Sequence, residues 1–314
     1  MALAITAFNK GCDVTLWSPF EKEVNSLKKY RTNDKLLKGV ILPEKIKITT
    51  DLSVVEGDVL TIIATPSTVV PSIAEQLKDY KNIGIIVNVS KGFERITLRR
   101  LSEVIASSLP DKKIVALTGP SHAEEVARGI PTSIVAASNS VAAAQAVQNI
   151  LSTDTFRIYT SDDLIGAELG GALKNIIAVA AGFCDGLALG DNSKAALITR
   201  GLAEMARLGV CMGAKEYTFT GLTGVGDLIV TCISQHSRNN RFGYKIGRGM
   251  PIPEALEQVG TVEGYYAVEI AYKLAQQYQI EMPIITECYK ILYEGKDINS
   301  AVYDLMTRPN KKER

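Results

Sequence analysis

Short runs of β-branched and apolar residues recur through the first half of this 314-residue chain and cease in the second. Val14–Trp17, Ile46–Thr49, Val59–Ala64, Ile85–Val89, Ile114–Leu117 and Ser133–Ala137 read as strands. Several are apolar on consecutive residues, the pattern of a parallel sheet with helices on both faces. Helical stretches such as Thr68–Leu77 and Leu98–Ser107 lie between them. Strand and helix in alternation predict a doubly wound α/β domain. Beyond about residue 160 only helical patterns occur: Gly166–Ala181, Lys194–Met205, Pro253–Gln258, Tyr265–Tyr278 and Met282–Tyr293. The expected architecture is thus an α/β domain over residues 1–160 and an all-helical domain over 161–314.

A dinucleotide-type α/β unit opens with a strand, a glycine loop and then a helix. Here the chain opens on what reads as that helix, Ala2–Asn9, ended by Gly11. The strand Val14–Trp17 then counts as the second, and no G-x-G-x-x-G stands before the helix.

Composition narrows the function classes. A charged share of 22% with a formal net charge of +1 offers no electrostatic footprint for nucleic acid or an anionic membrane. The basic tail Arg308, Lys311, Lys312, Arg314 reads as a solvated end. Five scattered cysteines (Cys12, Cys184, Cys211, Cys232, Cys288) form no C-x-x-C pair. With only His122 and His236 beside them, they argue against a disulfide framework and a metal site, and fit a reducing, cytoplasmic setting. No apolar run is read as reaching membrane-spanning length, and Met1–Ile5 lacks the basic flank of a signal peptide.

Functional residues of a parallel sheet gather beyond the carboxyl ends of its strands. Three ends carry candidates: Ala64-Thr65-Pro66-Ser67, Asn88-Val89-Ser90-Lys91-Gly92, and Leu117-Thr118-Gly119-Pro120-Ser121-His122-Ala123. Lys91 reads equally as a solvated loop lysine and as a cation at the sheet's working edge. Lys174 is sharper. It is the only cation of Leu169–Ala180, and the residues three and four positions away are all apolar. A helix apolar on every side is buried, so its lysine needs a partner or a chemical role, and burial lowers its pKa toward the range of acid–base catalysis. Gly170 and Gly171 permit close approach of another backbone or a ligand. Asp227, after the glycines 221, 224 and 226, caps a helix or binds a substrate hydroxyl. Arg238, between Ser237 and Asn239, is a fork of donors suited to phosphate.

Taken in order, Ser90-Lys91-Gly92, Gly119–Glu125, Glu168–Asn175 (ELGGALKN), Ile198–Met205 (ITRGLAEM), Gly224–Leu228 and Ser237-Arg238-Asn239 resemble the signatures of bacterial-type NAD(P)-dependent glycerol-3-phosphate dehydrogenase. The resemblance spans nearly the whole chain. It implies a Rossmann-like, NAD(P)-binding first domain without its first strand, a helical substrate domain, and a homodimer in the cytoplasm. The implied reaction is hydride transfer between NAD(P)H and dihydroxyacetone phosphate, giving sn-glycerol 3-phosphate for phospholipid synthesis. By the same resemblance Lys174 is the general acid/base. Lys91, Gly119, Ser121, Lys174, Asp227, Ser237, Arg238 and Asn239 contact substrate. Lys91, Ala123, Arg238, Val262 and Glu263 contact cofactor. The alternatives are a related two-domain hydroxyacid dehydrogenase and a non-catalytic product that retains the helical domain.

The sequence departs from the family in two places. Met1–Ala4 matches the residues just after the family's last loop glycine. The resemblance therefore implies that Met1 is an internal methionine or marks a truncation, and that these 314 residues alone are unstable or weakly active. After Trp17, Ser18-Pro19-Phe20 presents neither an arginine for an NADP phosphate nor an acid for an NAD ribose, so neither cofactor is singled out.

Overall fold

The computed structural model describes residues 1–310, 312 and 313; Lys311 and Arg314 of the basic tail lie outside the described residues. The chain forms two compact units. The first comprises Met1–Ser90 with Leu101–Leu164, the second Lys91–Arg100 with Ile165–Arg314. The sequence placed one division at 160. In the structure the segment Lys91–Arg100, which follows the predicted strand Ile85–Val89, also belongs to the second unit.

The first unit runs α1 (Ala2–Asn9), β1 (Thr15–Trp17), α2 (Glu21–Tyr30), β2 (Thr32–Asn33), β3 (Leu37–Ile41), β4 (Lys47–Thr49), β5 (Leu60–Ile63), α3 (Val70–Leu77), β6 (Ile85–Asn88), α4 (Leu101–Ser108), β7 (Ile114–Thr118), α5 (Ala123–Ala127), β8 (Thr132–Ala137), α6 (Val141–Leu151) and β9 (Phe156–Ser161). Its main sheet has the order β5-β6-β7-β8-β9. Consecutive apolar residues serve opposite faces, as a strand's period of two requires. Ile86 and Ile114 pack with Val70, Ile73, Leu101 and Ile105 on one side. Val87 and Val115 pack with Ala143, Val147 and Leu151 on the other.

Three features correct the sequence reading. The sheet is not wholly parallel, because β7 and β8 pair antiparallel. It is also in two pieces: β1 pairs with β4, and among the described residues neither joins the five-stranded piece. Finally, β2–β3 and β9 were not foreseen. Along β9, Phe156 and Ile158 are buried while Arg157 and Tyr159 are exposed. This is the alternation of a half-covered edge strand, without the continuous apolar run used to find the others.

The second unit is built on α7 (Leu164–Gly186), α8 (Gly190–Cys211), α9 (Asp227–Ile233), α10 (Arg238–Gly247), α11 (Ile252–Val259), α12 (Glu263–Gln277), α13 (Pro283–Glu294) and α14 (Ile298–Met306). At 23 residues α7 is longer than its sequence pattern suggested, and long and apolar enough to cross a membrane by composition. Its most apolar window is 94% buried inside the protein, which makes it a core helix.

Glu204 of α8 is buried and accepts hydrogen bonds from the backbone N–H groups of Ile284 (2.8 Å) and Ile285 (3.1 Å) in the first turn of α13. Burial pushes its carboxyl up from 4.5 to about 7, against the pull of those donors. A carboxyl raised on folding contributes stability that is complete below its unfolded value and is lost as pH rises through the folded one. The contribution lost between about pH 4.5 and 7 is about 3 kcal/mol. Urea unfolding at about pH 5 and about pH 8 tests this. The Glu204→Gln chain loses less stability over that interval than the natural one, and identical losses would refute the assignment.

Candidate functional site

The chemistry-bearing residues of the second unit converge on one carboxylate. Gly170 of α7 admits the backbone of the glycine-rich turn Leu222–Gly226, where a Cβ would lie 2.3 Å from the Thr223 carbonyl oxygen. That turn is one of the rare π-helical turns, which favour functional sites. It delivers Asp227 to the start of α9, where its side chain caps nothing. The carboxylate faces α7 instead. Lys174 Nζ donates to Asp227 Oδ1 at 2.5 Å and to Thr231 Oγ1 at 2.7 Å. Lys91 Nζ donates to Asp227 Oδ2 at 2.7 Å. The Thr231 hydroxyl in turn donates to the Asp227 carbonyl at 2.6 Å.

Burial sorts the trio. The Lys174 and Asp227 side chains are 6% and 2% exposed, whereas Lys91 retains 22%. Loss of solvent pulls Lys174 down from 10.5 to about 7; Asp227 resists this and Lys91 adds to it. Burial alone would raise the Asp227 carboxyl, but the two ammonium groups hold it below its ordinary value. The centre is therefore an anion fixed between two amines, one of which exchanges its proton near neutrality.

A second set of bonds fixes the surroundings. Asn239 Nδ2 donates to Asn175 Oδ1 at 2.9 Å, and the Gly264 N–H donates to Asn239 Oδ1 at 2.9 Å. Asn239 thereby ties α10 both to the residue after Lys174 and to the start of α12. Ser237 is a helix cap, its hydroxyl accepting from the Asn240 N–H at 3.2 Å. Arg238 opens α10 and is exposed. Val262 stands at the N-terminal cap position of α12 with its side chain in the apolar core, and its carbonyl accepts from the Tyr265 N–H at 3.2 Å; Glu263 is the first residue of that helix.

In the first unit, β5, β6 and β7 run parallel and end at one edge. Ser90 Oγ donates to the Thr65 carbonyl at 2.6 Å across that edge. Gly119 follows β7 at φ +138°, where a Cβ would crowd the Ile134 backbone. Ser121 Oγ donates to the Gly119 carbonyl at 3.0 Å, and Ala123 begins α5. The hydroxyls of Thr65 and Thr118 are buried at this edge without a partner among the described residues. Buried polar groups are rarely left so. Two orphan hydroxyls and a glycine at the carboxyl edge of a parallel sheet fit a dinucleotide lying there.

Known proteins agree with this layout. The family model for the N-terminal part of NAD-dependent glycerol-3-phosphate dehydrogenase matches residues 1–144, and that for its C-terminal part matches residues 163–303. A glycerol-3-phosphate dehydrogenase [NAD(P)+] of Clostridium perfringens is 49% identical over 99% of this chain and 95% of its own length. One from Thermoanaerobacter is 50% identical with the same coverage. The crystal structure of glycerol-3-phosphate dehydrogenase from Coxiella burnetii superposes with a TM-score of 0.93 at 39% identity, covering 98% of this chain and 95% of that one. The chain belongs to the NAD-dependent glycerol-3-phosphate dehydrogenase family.

Of the residues singled out by resemblance to glycerol-3-phosphate dehydrogenases, Lys91, Lys174, Asp227, Ser237, Arg238, Asn239, Val262 and Glu263 lie in the second unit, and Gly119, Ser121 and Ala123 in the first. Thr231 and Asn175 were not singled out. Thr231 was legible as the residue one helical turn beyond Asp227 on the same face. Asn175 matters only through Asn239, a contact that local spacing does not announce.

Proposed function

We propose that this chain interconverts dihydroxyacetone phosphate and sn-glycerol 3-phosphate with NAD or NADP. The carrying observation is the buried Lys174 ammonium on Asp227, whose proton affinity burial lowers. The cofactor, when bound, supplies the hydride. As the ketone oxygen gains negative charge, Lys174 stabilises it and gives up a proton; in the reverse direction the neutral amine takes one. Asp227 and Thr231 aim that amine, and Lys91 adds positive charge beside it. The exposed guanidinium of Arg238, with the N–H groups of the α10 N-terminus, holds the phosphate. Ser237 and Asn239 shape the same helix end. The family resemblance further assigns Gly119 and Ser121 to the substrate, and Ala123, Arg238, Val262 and Glu263 to the cofactor. The reading extends to a cytoplasmic homodimer without membrane insertion that feeds phospholipid synthesis. The near-neutral charge and the scattered, unpaired cysteines support its cytoplasmic part, and the family resemblance the rest.

The test is a substrate panel. Dihydroxyacetone phosphate is expected to be reduced on the order of 100-fold more efficiently than dihydroxyacetone or 2-keto acids, and Arg238→Met to erase most of that preference through KM. Equal efficiency on the phosphate-free ketone would overturn the reading, and preference for a keto acid would favour a hydroxyacid dehydrogenase.

A further inference from the structure

The segment Lys91–Arg100 leaves the α/β unit after Ser90 and returns to it at Leu101, yet it packs as part of the helical unit. It is a small hairpin. Phe93 and Arg100 face each other in an antiparallel bridge, and the Glu94 N–H donates to the Arg99 carbonyl at 2.9 Å. The Glu94 carboxylate closes the tip by accepting from the N–H groups of Ile96 (3.0 Å) and Thr97 (2.6 Å). Leu98 turns the chain at φ +58°, a conformation that L-residues rarely adopt and that surrounding contacts must impose. Phe93 is buried in the helical core with Leu169 and Leu173.

Two charged contacts fasten this hairpin to helices of the site. Arg100 Nη1 meets Glu168 Oε2 on α7 at 2.7 Å, the side chains being 11% and 7% exposed. The Arg95 guanidinium lies over the Tyr266 ring of α12, 4.2 Å from its centroid. Lys91 stands at one foot of the hairpin and Arg100 at the other, so seating Arg100 on α7 sets where the backbone of Lys91 begins. We propose that the hairpin is a clip: its two pins, Arg100 on Glu168 and Arg95 on Tyr266, hold the Lys91 ammonium against Asp227. Arg100, Glu168, Arg95 and Tyr266 are thus positioning residues for the reaction proposed above, on which this inference rests.

The clip has a signature that a purely structural role lacks. The charged groups facing Lys174 are Asp227 from α9 and Lys91 from the hairpin. The neighbouring Cys232 thiol is neutral, pushed up by burial to about 12. When Lys91 loosens, Lys174 loses a like charge and keeps Asp227 to itself, and both changes raise its proton affinity.

The experiment follows the Lys174 ε-carbon by NMR titration of the natural chain and of Arg100→Met, Arg100→Lys and Arg95→Met, with kinetics on dihydroxyacetone phosphate alongside. Arg100→Met is expected to shift the Lys174 titration upward by roughly one pH unit, and to lower kcat/KM on the order of 100-fold through displacement of Lys91. Arg95→Met moves both in the same direction by less, and Arg100→Lys restores most of both. Should Arg100→Met not fold, Arg95→Met and the reciprocal pair Arg100→Glu with Glu168→Arg decide the matter. An unmoved Lys174 titration in folded pin variants overturns the clip. Absence of turnover in the natural chain fails the functional reading instead, and leaves the titration to judge the clip.

Discussion

Lys174→Met lowers kcat for ketone reduction by on the order of 10³-fold, with little change in KM. Methionine keeps the length and apolar stem of the lysine in a core that tolerates it. Asp227 is not orphaned, because Lys91 still donates to its Oδ2. The loss therefore reports the missing proton donor rather than a collapsed site. Arginine does not rescue, since a guanidinium holds its proton throughout the working range. The pH dependence has a fixed sign. Reduction needs the protonated amine, which predominates below about 7, so its rate falls as pH rises through that value, while alcohol oxidation rises over the same interval. In the methionine chain this limb of the profile is flat. Steady-state rates in both directions on a folded variant check the result; a kcat within tenfold of the natural chain would remove Lys174 from the mechanism.

The second large effect lies where α7 crosses α10. A Cβ on Gly243 would stand 2.0 Å from the Val179 carbonyl oxygen, and one on Gly182 would stand 2.2 Å from the Asn240 carbonyl oxygen. Both obstacles are backbone, so no side-chain rotation relieves them and the helices must part. Gly243→Ala is accordingly expected to cost about 3 kcal/mol or more of unfolding free energy. Gly221→Ala, whose added carbon would meet nothing nearer than 3.4 Å, costs under about 1 kcal/mol. Denaturant unfolding compares the two, and similar small losses would show that the crossing relaxes freely. Parting the helices also strains the Asn239–Asn175 bond, so any folded Gly243→Ala chain is impaired in substrate binding as well as stability.

What the sequence disclosed follows the range of the forces involved. Both-faced strands such as Ile114–Thr118 and the all-round apolar α7 are local patterns, and periodicity finds them. Lys174 was conspicuous because a lone cation in such a helix breaks the pattern. The helix expected from Leu98 begins only at Leu101, because Phe93, Leu98 and Arg100 find partners on the helical unit that no window of sequence contains. The choice between cap and ligand for Asp227 was open for the same reason: local spacing allows either, and only α7 and the hairpin supply the amines that claim the carboxylate. Ser237, singled out for substrate, shows how one short hydroxyl also serves as the cap that starts α10.

Because a single carboxylate serves both amines, protons enter and leave this centre as a property of the cluster rather than of either lysine. With both amines protonated and Asp227 ionised, the three groups sum to one positive charge; after Lys174 has given up its proton they sum to zero. On the proposed mechanism, the transfer that completes the alcohol also weakens the local attraction for an anionic product. Chemistry and product departure are then coupled through one proton, with no moving part.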